Sequence, residues 1–320
     1  ATTIHWHGIR LPLEMDGVPY VSQLPVLPGE YFDYKFRVPD AGSYWYHPHV
    51  SSSEELGRGL VGPLIIEERE PTGFKHERTL SLKSWHVDEE GAFVAFSVPR
   101  EAARGGTAGR LSTINGVSQA VIDLPAGQIT RVRLLNLDNT LTYRINIPGV
   151  EAQIYALDGN PVAPRPLGKD YWLGPGMRLD LALRVPAVGT ELSLRNGPLR
   201  LATLKSLATT QVAGDWPPAL PANPSDEQQQ AAIEAALELA YADKPARDKV
   251  VDDAKAALEQ STAFVREHDL MTLPDAPVDI ILMPEFQRGV AVAYCDSPGP
   301  LDKNLKTFYA VSPIPDDWND

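Results

Sequence analysis

Short apolar runs separated by turn dipeptides make up the first 205 residues, and this pattern constrains the fold more than any other feature. Runs such as 31–38 and 130–136 have the length and composition of strands. The Pro-Gly, Asp-Gly and Asn-Gly dipeptides between the runs are typical of tight turns. We therefore expect a mainly β fold here, with two β-sandwich or barrel domains.

Breaks in composition divide the chain into four segments. A charged, turn-prone stretch at 67–73 forms the first break, and a proline-rich stretch that few strands or helix interiors tolerate forms the second. We predict a first β domain at 1–70, a second β domain at 75–205, a linker at 206–224 and a tail of different character at 225–320.

The tail has the pattern of helices. Ser225-Asp226-Glu227-Gln228 has the form of a capping box and begins an Ala-, Glu- and Leu-rich run that extends to Asp243. A second run at 246–267 places apolar residues on one helical face. We therefore expect a helical or mixed α/β segment after the β domains.

Composition excludes several classes of protein. The chain has 29 Lys and Arg against 42 Asp and Glu, a net charge of −13, so it lacks the basic surplus that binds nucleic acid. No apolar run reaches the roughly 18 to 20 residues of a membrane helix. A single cysteine, Cys295, excludes an internal disulfide and any cysteine-rich metal site. The sequence thus predicts no nucleic-acid partner and no membrane span.

Two His-x-His pairs, at 5–7 and 47–49, are the strongest chemical signal in the sequence. In a strand, residues i and i+2 point to the same face, so each pair offers two imidazoles to one region. Imidazole binds copper, zinc, iron and nickel, and the spacing does not choose among them. The alternative is a packed pair in a core beside Trp6 or Tyr46, but four buried imidazoles without a metal would leave polar nitrogens in need of partners. The pairs therefore predict a metal site.

These pairs lie within motifs that resemble the first domain of the laccase-like multicopper oxidases. The motifs are at 4–8, 15–19, 28–30, 41–49 and 59–66, and motifs at 114–116, 131–136 and 173–178 resemble the second, copper-free domain of that family. The resemblance covers about 1–205 and implies two cupredoxin-like Greek-key sandwich domains, the first of them truncated.

The resemblance also implies ligands and chemistry. It assigns His5 to a type 2 copper and His7, His47 and His49 to the type 3 copper pair, with no other catalytic or cofactor-binding residue in this chain. The family oxidises a small reducing substrate, phenol-like or a metal ion, and reduces dioxygen to water. The resemblance further implies a periplasmic or extracellular location, although the chain contains no signal peptide.

The family's third domain supplies the remaining copper ligands through a His-Cys-His segment, which this sequence lacks. Cys295 has no neighbouring histidine, so we interpret it as a structural or incidental thiol. His76, His86 and His268 lack paired spacing and are expected to be surface or hydrogen-bonded residues. Asp16 is expected to be a turn residue, with a supporting role near copper as the alternative. We expect an incomplete oxidase without a type 1 copper domain, and strand-like residues at the start suggest missing upstream sequence.

Motifs in the tail, at 264–270, 283–286, 294–300 and 308–312, resemble part of a bacterial family of uncharacterised proteins similar to zinc metallopeptidases. That family's zinc signature is absent. The sequence therefore combines an oxidase-like part with an unrelated tail. A chimeric gene, a misassembled reading frame and a truncated chain are the three explanations that stay open. Two other functions stay open: a copper- or zinc-binding protein without turnover, and a metallopeptidase-like protein defined by the tail.

Overall fold

A computed structural model describes residues 1–102, 105–209, 214–223, 278–280 and 307–309. The chain divides into two units, Ala1–Pro224 and Ser225–Asp320. The helices predicted at 225–243 and 246–267 lie outside the described residues, as do His268 and Cys295. In the second unit, β15 (Val278–Ile280) and β16 (Thr307–Tyr309) pair in parallel. No helix among the described residues is long and apolar enough to cross a membrane.

The first unit begins with a small antiparallel sheet, called the first sheet. It contains β1 (Ile4–His7), β2 (Gly42–Pro48) and β3 (Gly62–Ile66) in the order β1-β2-β3. A 3₁₀ turn (Leu13–Met15) follows β1, and α1 (Ser52–Gly57) lies between β2 and β3. The central strand β2 is buried along most of its length, so it anchors the sheet to the rest of the unit.

The run 31–38 is extended but belongs to none of the described sheets, so the strand predicted there is wrong. Its alternation has another cause. Trp6 packs edge-on against Tyr34 and Phe36, with ring centroids 5.5 and 5.3 Å apart, while the residues between them face solvent. The Tyr34 hydroxyl accepts a hydrogen bond from the Ile4 amide at 2.9 Å. Side-chain packing therefore holds this segment without a ladder of backbone hydrogen bonds.

Two larger sheets face each other in the rest of the first unit and form a β-sandwich, called the sandwich. The remaining elements are β4 (His76–Trp85), α2 (Pro99–Ala102), β5 (Leu111–Ile114), β6 (Ala120–Pro125), β7 (Ile129–Asn136), β8 (Tyr143–Asn146), β9 (Ala152–Leu157), β10 (Asn160–Pro166), β11 (Tyr171–Leu173), β12 (Arg178–Arg184), β13 (Glu191–Asn196) and β14 (Leu199–Leu207). One sheet has six strands in the order β10-β9-β12-β7-β4-β5, and the other has five in the order β11-β8-β13-β14-β6.

The core of the sandwich is apolar and closed. Leu134 and Leu181 of the six-stranded sheet and Leu194 of the five-stranded sheet are completely buried in it. Fully burying a leucine side chain contributes about 1.5 to 3 kcal/mol, so each of these residues stabilises the unit substantially. The mainly β fold predicted from the sequence is confirmed.

A set of buried charged side chains joins the first sheet to the sandwich, and we call it the ion network. Its members are Arg131, Arg133, Asp180, Glu68 and Glu77. Both guanidinium groups are almost wholly buried, and both contact Asp180, at 2.6 Å for Arg131 and 3.1 Å for Arg133. The Ser43 hydroxyl on β2 donates to the other oxygen of Asp180 at 2.7 Å. The ion network therefore ties β2 to strands β7 and β12.

Residues 214–223, inside the segment predicted as a linker, pack against the six-stranded sheet. Leu220 is buried beside Tyr155, whose hydroxyl donates to the Pro217 carbonyl at 2.7 Å. The Asn223 side chain bonds both the amide and the carbonyl of Ala41, each at 3.0 Å. This segment thus covers the sandwich and reaches the start of β2.

Candidate metal centre

Strand register brings the two histidine pairs together. In the antiparallel pair β1–β2, His5 lies opposite His47, and His7 lies opposite Trp45. Directly opposed residues share a face, and so do residues two apart, so both pairs project from the same side of the first sheet. Trp6 and Tyr46 occupy the other side. The sequence predicted the face within each pair, and the register adds that the two faces coincide.

The four imidazoles form one cluster, called the histidine cluster: His5, His7, His47 and His49. One ring nitrogen from each of the first three lies within 4.8 Å of the others. His49 completes the group, because its ring centroid lies 4.6 Å from that of His5 and 5.0 Å from that of His47. Two nitrogens bound to one ion at 2.0–2.1 Å are at most about 4 Å apart. The cluster therefore brings its ring nitrogens close enough to hold metal ions, with His7 Nδ1 and His47 Nε2 only 3.1 Å apart.

Hydrogen bonds orient two of the rings. His5 Nδ1 lies 2.9 Å from the Asp16 carbonyl oxygen and 3.1 Å from the Asp16 carboxylate, so it carries the proton and donates it there. His47 Nδ1 donates to the Pro48 carbonyl at 3.1 Å. Each bond leaves the Nε2 atom of its ring unprotonated, with the lone pair that a metal ion needs. His47 Nε2 accepts from His7 Nδ1 at 3.1 Å.

Burial keeps His7, His47 and His49 neutral. Desolvation, together with the neighbouring imidazoles, lowers the pKa of His47 to about 3 and that of His49 to about 4. Desolvation, with Arg178 as the next cause, lowers the pKa of His7 well below its usual value. Neutral imidazoles are the form that binds metal ions, so the cluster is ready to act as a ligand set.

Residues around the cluster hold it in place. Trp45 stacks on His47, with ring centroids 4.3 Å apart, and packs against His7 at 4.8 Å. Gly17 has a φ of +74°, and any side chain there would overlap the Ile4 carbonyl. The turn at Asp16 can therefore approach β1 closely enough to reach His5. Gly176, which has a φ of +75°, lies against Trp45 and His7 from the sandwich side.

The remaining predicted residues lie apart from this set. His86 is buried, and its Nδ1 donates to the Ala95 carbonyl at 3.2 Å, while His76 is half-buried on β4. Asp16 does more than form a turn, because it contacts His5. Sequence reasoning missed Trp45 and Gly176 as supports for the cluster. Trp45 could have been found, because it lies two residues before His47 and so shares its face.

Comparison with known proteins identifies this architecture. Residues 1–71 match the family described as "Multicopper oxidase". The multi-copper oxidase of Pseudomonas thermotolerans is 72% identical over 71% of this chain and 55% of its own, with a TM-score of 0.69. That of Pseudomonas parafulva is 76% identical over 71% of this chain and 56% of its own, with a TM-score of 0.68. The β-sheet part of the chain is therefore similar to multicopper oxidases, and its sheets match cupredoxin-like domains.

Curated relatives cover shorter stretches. Copper resistance protein A of Pseudomonas syringae pv. tomato is 47% identical over 92 residues, which are 28% of this chain and 15% of that protein. Laccase-1 of Cryptococcus neoformans var. grubii is 30% identical over 203 residues, 55% of this chain and 32% of that protein. The chain thus spans about half the length of its solved relatives and less than a third of these curated ones.

The tail has a separate match. Residues 220–320 match the family described as "Bacterial protein of unknown function (DUF885)". The predicted bacterial family of uncharacterised proteins is therefore present in the tail. That description assigns no activity, so the resemblance to zinc metallopeptidases stays a prediction.

Proposed function

We propose that the chain supplies half of the ligands of a trinuclear copper site in a laccase-like multicopper oxidase, with His5 as the type 2 ligand and His7, His47 and His49 as type 3 ligands. The observation that carries the proposal is the convergence of both histidine pairs on one face of the β1–β2 pair. The family of the β-sheet part supports copper over the other metals that imidazole binds.

The donor set fits copper. His7, His47 and His49 offer neutral nitrogen donors, and His5 adds a fourth imidazole, so the donor set suits copper as well as zinc. Copper held by His5, His7, His47 and His49 would supply one-electron redox chemistry at this site. The proposed overall reaction is oxidation of a phenol-like molecule or a metal ion coupled to reduction of dioxygen to water.

The surrounding residues orient the imidazole rings and shield the site from water. Asp16 holds the His5 proton on Nδ1, and the Pro48 carbonyl does the same for His47, so both rings keep their Nε2 lone pairs on the side of the cluster. The Trp45 ring covers one side of His47 and His7. Together these contacts limit ring rotation and exclude water from one side of the site.

Turnover needs ligands that these 320 residues do not contain. The sequence has no His-Cys-His segment, and its three further histidines, His76, His86 and His268, are isolated. We therefore propose that the chain holds the half-site of an incomplete oxidase and that the type 1 centre comes from outside this sequence. Because relatives include copper resistance proteins, we also propose that it acts in the periplasm or outside the cell.

Copper per chain after loading and dialysis tests the site. We expect wild type to retain copper and the His47→Ala/His49→Ala double variant to lose it. A His76→Ala variant is the matched control, because His76 is half-buried on β4 outside the histidine cluster. Equal copper retention in the double variant and wild type would refute the ligand assignment.

Oxygen uptake with a phenolic substrate separates an oxidase from a metal-binding protein without turnover. We expect the copper-loaded chain alone to consume no oxygen, since half of the ligands are absent from its sequence. Uptake that requires copper and disappears in the double variant would contradict the half-site proposal. Zinc retained in preference to copper would favour the metal-binding protein.

A further inference from the structure

A cavity of about 390 Å³ opens between the first sheet and the six-stranded sheet, and the copper chemistry leaves it unused. Gly59 and Val61 line it from the segment that leads into β3, and Pro63 lines it from β3 itself. Leu137, just after β7, closes the apolar side. The opposite wall comes from β4 and β5. The cavity therefore has one apolar and one polar wall, and it is large enough for a small organic molecule.

The polar wall follows the strand period. Thr79, Ser81, Lys83 and Trp85 occupy alternate positions of β4 and line the cavity together. The Trp85 indole N–H donates to the Thr113 hydroxyl on β5 at 2.8 Å, which fixes the ring. The wall thus offers hydroxyl groups, one aromatic ring and one amine.

Lys83 is the unusual member of this wall, because only 5% of its surface is exposed. Among the described residues its ammonium group has one hydrogen-bond acceptor, Asn139 Oδ1, at 3.3 Å. The ammonium also lies 5.5 Å from the centroid of the Trp85 ring. An ammonium group has three N–H donors, so Lys83 retains donors for a further partner.

A hydrogen bond to α1 fixes the orientation of the Asn139 side chain. Its amide nitrogen donates to the Ser53 carbonyl in α1 at 2.6 Å, so its oxygen is left to face Lys83. Burial lowers the pKa of Lys83, and only Asp138 opposes that effect. A desolvated cation with so little compensation is costly, and an anion in the cavity would offset the cost.

We propose that this cavity binds a small aromatic carboxylate, whose carboxylate accepts hydrogen bonds from Lys83 Nζ and whose ring lies between Trp85 and the apolar wall at Val61 and Leu137. A single cation suits a monoanion, and the apolar wall suits a hydrophobic body more than a free inorganic anion. The proposal is independent of the copper function, because no member of the histidine cluster lines the cavity.

Benzoate is the probe, titrated into the metal-free full-length chain by calorimetry. We expect saturable binding to wild type and at least about tenfold weaker binding to Lys83→Met, since a hydrogen bond to a charged group contributes about 1.5 to 3 kcal/mol. Lys169→Met is the matched control, because Lys169 is exposed on the sandwich, and it should bind benzoate like wild type. Benzyl alcohol, which keeps the ring without the charge, should bind wild type at least about tenfold more weakly.

Two further measurements keep the test decisive. Ser81→Leu fills the cavity and keeps the lysine at 83, and it should also abolish binding. This variant tests the proposal independently if Lys83→Met fails to fold. The His47→Ala/His49→Ala variant should bind benzoate unchanged, and loss of binding there would move the site to the histidine cluster and overturn the proposal. Equal affinity in Lys83→Met and wild type, equal affinity for benzyl alcohol, or no saturable binding in the millimolar range would each overturn it too.

Discussion

The first sheet and the sandwich hold their shape by different means. The sandwich closes an apolar core between two sheets, with Leu134, Leu181 and Leu194 completely buried. The first sheet has three strands, and the loop between β1 and β2 exposes large apolar side chains. Among them Leu24 is 74% and Tyr31 85% exposed. The candidate chemistry therefore lies in the less self-sufficient of the two regions.

This contrast shows where the metal centre gets its rigidity. The ion network joins β2 to the sandwich through Ser43 and Asp180, and Gly176 reaches His7 and Trp45 from the same side. The first sheet is thus held by these polar and close contacts, and by the packing of Trp45 and Leu56 on Leu135 and Leu137, to a neighbour that has its own core. Four substitutions test this interpretation, in order of decreasing effect.

Removing the shared carboxylate of the ion network should have the largest effect. Asp180→Ala leaves Arg131 and Arg133 buried without their common partner, and breaking a buried ion pair costs about 3 to 5 kcal/mol. Urea unfolding followed by circular dichroism measures the loss. Hydrogen exchange should show that β2 loses protection before the sandwich does.

The control for Asp180→Ala is Glu191→Ala, which breaks an exposed pair with Lys205 at 3.9 Å and should cost less than about 1 kcal/mol. Equal loss of protection in β2 and in the five-stranded sheet would show that the ion network does not attach one region to the other.

Truncating the sandwich core comes next. Leu134→Ala should destabilise the chain by about 3 kcal/mol, because a buried cavity replaces the side chain. Ile65→Ala on β3 is the comparison, because Ile65 is only half-buried, and it should cost clearly less. The urea midpoints of the two variants give the result. A larger effect at Ile65 would reverse the contrast between the regions.

Weakening the support of His5 should affect metal binding without affecting folding. Asp16→Ala removes the carboxylate 3.1 Å from His5 Nδ1 but keeps the backbone carbonyl at 2.9 Å. We expect about tenfold lower copper affinity, the lower end of such effects, and an unchanged urea midpoint. A copper titration against a competing chelator measures the affinity. Unchanged affinity would show that the carbonyl alone orients the ring.

A substitution in the sandwich next to the histidine cluster should have the smallest effect of the four, a modest loss of copper retention. Gly176→Ala places a methyl group 3.1 Å from Trp45 and 3.2 Å from His7, at a φ of +75°. The strain should cost about 1 kcal/mol and shift the His7 ring. Reduced copper retention, with Gly189→Ala as the positive-φ control in open space, tests the contact. Equal retention in both variants would count against a role for Gly176.

Features that depend on neighbouring residues alone could be predicted from the sequence. The period of two placed His5 and His7 on one face, and turn dipeptides marked the strand ends. The register between β1 and β2 could not be predicted, because a long irregular segment separates them and its path depends on tertiary packing. The same packing explains 31–38, where aromatic side chains alternate against Trp6 without strand pairing.

Buried charges were the other part that could not be predicted. Arg131 and Arg133 alternate on β7, a pattern that indicates a solvent-exposed face, yet both are buried because the first sheet covers them. Asp180 could have indicated a buried partner for these arginines, because it lies opposite Arg133 in the β12–β7 pair. That pairing is visible only once the register of the two strands is known. Lys83 is similar, since its burial depends on the segment that leads into β3.

The position of Trp45 has a further consequence. Trp45 is buried, with 3% of its surface exposed, and its ring stacks on His47 with ring centroids 4.3 Å apart. An open-shell ion close to an indole quenches its fluorescence, whereas zinc, with its filled d shell, does not quench by that route. The chain thus contains its own optical reporter for an open-shell ion at the imidazoles, because Cu²⁺ there would quench the Trp45 fluorescence and zinc would leave it unchanged.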